Sequence, residues 1–318
     1  MDLLKSLCEL NGVSGYEDQV MKYLLGILRD SDRGEAYTDT IGNVIFFIRG
    51  SDSHKKVLIQ AHADEVGFQV ISQIGPGQYS IKSLGNIKTW NAYQQRVVSS
   101  KGTPGVIYAR NPDQLRPHNF DNLILQVVGP SDGVSAGEVF SFLSPFLSAG
   151  DCYAGKALDD RLSCCCLLET IRNCGRLKND TYICFTVQEE IGMRGARVLK
   201  SSIRPDVSIS VDLSGTGERN SLKMGNGVGI KLSDSLGVSS KRCVELACAV
   251  AASQNIPYQL EASDCGTSEL IITNELDNGS EELGISIPCE HLHCANTIVR
   301  KSDVDACIGL LPGLLERI

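Results

Sequence analysis

Apolar positions along this chain change period, and each change marks a different kind of structure. Near the start, Val20, Tyr23, Leu24, Ile27 and Leu28 recur at helical spacing, which gives a helix one apolar face. Ser14 and Glu17, three residues apart just before that run, read as a capping box that opens the helix. Met1 to Asn11 is an amphipathic stretch carrying Asp2, Lys5 and Glu9. Two short β-like runs follow, Asn43 to Ile48 and Val57 to Gln60. From about Phe68 to Gly150, short β-branched runs alternate with turn clusters such as Gly75-Pro76-Gly77, Lys101 to Gly105 and Gly129 to Gly133. Little in that region has helical period, which predicts a small all-β unit.

Beyond Asp159, strands and helices alternate. Thr181 to Val187, Val207 to Val211, Tyr258 to Ala262 and Ile285 to Ile287 read as strands. Asp160 to Asn173, Arg194 to Lys200, Ser240 to Gln254 and Ser302 to Arg317 read as helices. This order predicts an α/β fold, a mixed sheet flanked by helices. The predicted organisation is an α/β domain formed by residues 1–67 and 151–318, interrupted by an inserted β domain at 68–150. Gly225-Asn226-Gly227-Val228-Gly229 precedes no clear helix and lacks the lysine of a phosphate-binding loop, so it reads as a turn.

Charge and cysteine content narrow the partners. The formal net charge is −8, with no clustered Lys/Arg run, which argues against nucleic acid. No apolar run approaches the ~18–20 residues of a membrane span, and the N-terminal stretch lacks a signal peptide's basic and apolar regions. The thirteen cysteines have no regular disulfide spacing, so a reducing cytoplasm is the expected home. Cys164-Cys165-Cys166 are consecutive in a predicted helix and share no face, so they read as core thiols. His54 reads as a surface residue and His118 as part of the insert's rim.

The candidate chemistry lies at the ends of predicted strands. His62/Asp64, Asp159/Asp160, Glu189/Glu190, Asp212 and His291/His293 place metal-type ligands in five separated segments. Ligands of open α/β sheets collect at the carboxyl ends of strands, so all five can converge on one crevice. Histidine and carboxylate suit Zn²⁺, Co²⁺ or Mn²⁺. A carboxylate such as Asp159 can bridge two cations ~3.5–4 Å apart. Of Glu189 and Glu190, one can be a ligand and the other a general base. Asp64, two residues after His62, can orient the imidazole through its far nitrogen.

Three segments carry a resemblance: Ala61-His62-Ala63-Asp64-Glu65-Val66-Gly67-Phe68, Gly155-Lys156-Ala157-Leu158-Asp159-Asp160-Arg161 and Thr186-Val187-Gln188-Glu189-Glu190-Ile191-Gly192-Met193-Arg194-Gly195-Ala196. In this order they resemble the M42 family of metallo-aminopeptidases. The resemblance implies a two-metal aminopeptidase acting on short peptides. In it Asp159 bridges, His62 and Asp212 complete one site, Glu190 and His293 complete the second, Glu189 is the base and Asp64 orients His62. It also implies a zinc-peptidase-like catalytic domain, a PDZ-like dimerisation insert, a homo-oligomer (dimer or dodecamer) and a cis Asp159-Asp160 peptide. Glu290-His291-Leu292-His293 and Cys265-Gly266-Thr267-Ser268-Glu269 depart from the family's pattern, which leaves His291 open as a rival to His293. The same residues could serve a deacetylase or other amide hydrolase, or persist in a catalytically degenerate assembly protein.

Overall fold

Strands buried on both faces become almost continuously apolar, and Val44–Ile48 and Lys56–His62 have that character. The computed structural model describes residues 2–131, 133–270, 272 and 279–318. Four parallel neighbours form the heart of an eleven-stranded mixed sheet: Asp180–Thr186, Lys56–His62, Val207–Gly215 and Glu281–Glu290. Val44–Ile48 and Glu35–Thr38 extend one side, and Thr297–Arg300, Cys152–Gly155 and Leu147–Ala149 the other, each pairing antiparallel. Val228–Ser233 pairs antiparallel with Glu281–Glu290 and carries Tyr258–Ala262.

The two faces of the sheet bury different partners. Val57, Ile59, Phe46, Ile183 and Phe185 join the large core under Leu158–Asn173 and Lys301–Arg317. Their alternates Ile45, Leu58 and Cys184 pack against Leu199 and Ile203 of the helix Arg194–Ile203. This is the period-2 alternation of strand side chains. Cys164 and Cys166 are buried as expected, and all thirteen cysteines are free thiols. Among the described residues no helix is long and apolar enough to cross a membrane.

The second unit is a closed six-stranded antiparallel barrel in the order Gly67–Gly75, Gln78–Leu84, Leu123–Val127, Pro104–Ala109, Arg96–Ser99 and Val139–Phe142. Phe68 and Phe142 meet edge to face at 5.1 Å in its core, the geometry aromatic pairs favour. It is not purely β, since Thr89–Ala92 forms a short helix. Leu147–Ala149, inside the 68–150 stretch, pairs with Cys152–Gly155 in the large sheet.

Candidate metal centre

The four central parallel strands aim their carboxyl ends the same way, and the chemistry gathers there. His62 is the last residue of Lys56–His62. Glu189 and Glu190 follow Asp180–Thr186 in a turn where Gln188 adopts φ 57°. His293 follows Glu281–Glu290, with His291 and His293 at φ 59° and 55°. Asp212 lies inside Val207–Gly215 rather than after its end, because that strand continues four residues beyond the predicted Val211. Asp159 opens the helix Leu158–Asn173 with non-helical backbone, and the Asp159-Asp160 peptide is cis.

Asp159 stands between the two histidines. Its Oδ1 is 3.3 Å from Nε2 of His62, and its Oδ2 is 3.2 Å from Nε2 of His293. On the His62 side, Asp212 Oδ1 and Glu189 Oε2 are each 3.9 Å from the same Nε2. On the His293 side, Glu190 Oε1 is 3.4 Å from Nε2. Two ligand-type sets have donor atoms within 4.8 Å of one another: His62, Asp159 and Glu190, and His62, Asp160 and Asp212. The structure therefore brings Asp160 close to the cluster as well. His291 is exposed and lines the cleft, whereas His293 is the histidine that faces Asp159 and Glu190.

The electrostatics are those of an acidic cluster short of positive charge. Burial, reinforced by the charge of Asp159, pushes Asp212 up to about 7. Burial also lifts Glu190 to about 7, with His293 opposing and Asp159 adding to the rise. Glu189 is raised by burial, against the pull of His62, with Glu190 and Asp212 adding to the rise. Burial would lower both imidazoles, but Asp159 and Asp64 hold His62 up, and Glu190 and Asp159 lift His293 to about 9. Burial would raise Asp159, yet both histidines hold it well below the usual carboxylate range. Glu190 Oε1 and both Asp160 oxygens are buried without a hydrogen-bond partner among the described residues. Such orphaned oxygens are costly, and oxygen and imidazole donors of this kind fit divalent cations.

Asp64 sits behind the cluster. Its Oδ1 is 3.4 Å from Nδ1 of His62 and accepts the Glu189 N–H at 2.9 Å, while its Oδ2 accepts the Glu190 N–H at 3.2 Å. The capping box does not form. Ser14 Oγ donates to Asp64 Oδ2 at 2.6 Å, and Glu17 Oε1 accepts from Gly15 N and Gln188 N at 2.7 and 3.0 Å. The helix begins at Asp18 without a side-chain cap, because tertiary partners capture both residues. The sequence pattern gave no sign of this, nor of Glu65, whose buried carboxylate receives Lys156 Nζ at 2.8 and 2.9 Å.

The cluster lines a cleft of about 1060 Å³. The barrel supplies part of its rim through Asn86, Lys88, Trp90 and Asn91. In the divergent 265–269 segment, Ser268 lines the cleft with both its N–H and its hydroxyl on Asp234 Oδ2. Glu269 is buried with Thr186 Oγ1 donating to it, and burial pushes it up to about 8. His118 ring nitrogen Nδ1 lies 3.2 Å from the Ile87 carbonyl. Of the predicted turn at 225–229, only residues 225–227 turn, with Asp303 accepting from the N–H groups of Gly225 and Gly227, while Val228 and Gly229 open the strand Val228–Ser233.

Comparison with known proteins finds similarity along nearly the whole chain. The family model described as M42 glutamyl aminopeptidase matches residues 42–310. The chain is 28% identical to the lysyl aminopeptidase of Pyrococcus furiosus over 340 residues, covering 100% of this chain and 97% of the relative. A TET aminopeptidase from a marine sediment archaeon of the Thaumarchaeota superposes with a TM-score of 0.93 at 28% identity, covering 100% and 97% of the two chains. An aminopeptidase from the archaeon Desulfurococcus kamchatkensis gives 0.92 at 26% identity, covering 100% and 94%.

Proposed function

The chain belongs to the M42 glutamyl aminopeptidase family, and we propose that it releases residues one at a time from the free N-termini of short peptides at a two-metal centre. The observation that carries this reading is the division of Asp159: one oxygen faces His62 and the other faces His293. A carboxylate so placed suits a bridging ligand, with His62 and Asp212 completing one set and Glu190 and His293 the other. Zn²⁺, Co²⁺ and Mn²⁺ all match these donors. When bound, such a pair supplies Lewis acidity to the scissile carbonyl and to the attacking water.

The remaining work falls to side chains. Glu189 is the general base: its buried carboxylate is close to the cluster yet outside the paired ligand sets, and it takes the proton from water and passes it to the departing amine. Asp64 holds His62 from behind, so that Nε2 stays turned toward Asp159 and Asp212. The cleft's volume of about 1060 Å³ has room for a peptide end, and the barrel's Lys88 and Trp90 are among its lining. Exposed Ile71, Ile74, Tyr108 and Val128 on the barrel support its role as the PDZ-like dimerisation unit of a homo-oligomer. Thirteen free thiols support a cytoplasmic home.

The test is hydrolysis of aminoacyl chromogenic substrates and their N-acetylated forms by metal-stripped protein given Zn²⁺, Co²⁺ or Mn²⁺. Cleavage confined to free-amine substrates and restored by metal is expected. Cleavage of the acetylated forms alone would replace this reading with an amide hydrolase.

A further inference from the structure

We propose that the segment from Leu10 to Glu17 is a positioning strap for the metal centre, acting through Ser14 and Glu17. The proposal rests on the two-metal reading above. The strap lies before residue 42, where the family match begins, and none of its residues lines the cleft. Its contacts nevertheless reach three of the segments that carry the site.

The first contact is with the His62–Glu65 segment. Ser14 Oγ donates to Asp64 Oδ2, the same oxygen that accepts the Glu190 N–H. The backbone is stitched alongside, with Glu65 N–H donating to Gly12 O at 2.9 Å and Ser14 N–H to Glu65 O at 3.3 Å. The second contact is with the turn that presents Glu189 and Glu190, where Glu17 Oε1 accepts the Gln188 N–H. Ser14 and Glu17 are 2% and 6% exposed, so water cannot substitute freely for either bond.

The third contact is with the Lys156–Arg161 segment around Asp159. Lys156 Nζ donates to Leu10 O at 3.0 Å while it grips Glu65. Arg161 Nη1 donates to Leu7 O at 2.7 Å, just ahead of the strap, and its Nη2 reaches Gly12 O at 3.5 Å. A Cβ at Gly12 would lie 2.5 Å from Arg161 Nη2, so a larger residue there would displace the buried guanidinium. The strap thus ties the segments bearing His62, Asp159 and Glu189/Glu190 to one another. Asn11 and Tyr16 add hydrogen bonds to the barrel, through Ser99 and Ser141 and through Gln69 and Gly137. A strap fixed at so many points sets the spacing of donors on separate segments, which is the task of groups standing behind metal ligands.

The experiment pairs Ser14→Ala with Ser14→Thr and Glu17→Ala with Glu17→Gln, using the exposed Lys22→Ala as a control. Thr keeps the hydroxyl and Gln keeps the acceptor oxygen. Co²⁺ titration into stripped protein, thermal melting and steady-state kinetics are measured for each. Ser14→Ala and Glu17→Ala are expected to lose about 10–100-fold in Co²⁺ affinity. Their kcat should fall with KM held, while the conservative partners and Lys22→Ala stay near wild type. Alanine variants that melt lower but bind Co²⁺ and turn over like wild type would overturn the strap and leave it a structural tether. Should one alanine variant fail to fold, the other carries the same comparison. A wild type that binds no Co²⁺ would instead sink the two-metal reading, so the two failures are distinct.

Discussion

The large sheet and the barrel solve opposite problems, the sheet with much the larger buried apolar core. The barrel's strands are antiparallel and closed, and its core is phenylalanine and aliphatic, with Phe68, Phe140 and Phe142 at its centre. The sheet's central strands are parallel, and at one end they bury carboxylates that a folded protein would ordinarily expose. A closed barrel has no common strand end at which polar groups must converge, whereas four parallel strands do. The difference puts the polar cluster on the sheet, beside the larger apolar core, and leaves the barrel with packing and a rim.

That separation can be broken experimentally. The largest effect should come from Glu189→Gln, which removes the proposed base while keeping the side chain's shape. It should lower kcat by about 10²–10⁴-fold, with bound metal, read by inductively coupled plasma analysis, unchanged. Activity surviving that change would move the base elsewhere. Phe140→Ala opens a hole in the barrel core and should cost about 3–5 kcal/mol in denaturant unfolding. Kinetics per folded molecule should be nearly untouched, and a proportionate fall in kcat would show that the two units are not separable.

Asp64→Asn exchanges a carboxylate facing His62 and two backbone N–H groups for an amide, and should cost about 10–100-fold in divalent affinity. Equilibrium dialysis against Zn²⁺ buffers measures it, and an unchanged affinity would remove Asp64 from its proposed orienting role. The smallest effect should come from Trp90→Ala at the barrel's rim, where the indole is half-exposed. KM for peptides should rise a few-fold, worth about 1 kcal/mol, with kcat held. A fall in kcat instead would place the barrel's edge inside the chemistry.

Much of the site was legible because its residues sit in short, dense motifs. His62 with Asp64 and Glu189 with Glu190 follow short apolar runs that read as strands, and parallel strands bring their carboxyl ends together. The Glu281–Glu290 strand was hidden except for Ile285 to Ile287, because Glu282, Gly284, Ser286 and Pro288 interrupt its apolar pattern. Those interruptions have tertiary explanations. Ser286 donates to Glu261, and the Lys231 stem lies across Gly284, where a Cβ would come within 2.8 Å of it. Pro288 falls between the stretches that pair with Val228–Ser233 and Thr297–Arg300, where its missing N–H costs least. Ser14 and Glu17 misled for a related reason: the local spacing was that of a helix cap, and only distant chain segments revealed better partners.

The donors of the acidic centre are spread from His62 to His293, so the cluster has no local nucleus. Each barrel strand pairs within 75 residues of chain, whereas His62 must await a strand and a histidine that follow it by more than two hundred residues. A chain emerging from the ribosome can close its barrel long before Glu281–Glu290 slides in beside Val207–Gly215, since domains fold as units during synthesis. Until then the donor set lacks His293, so the centre is completed only as the last strands of the sheet fall into place.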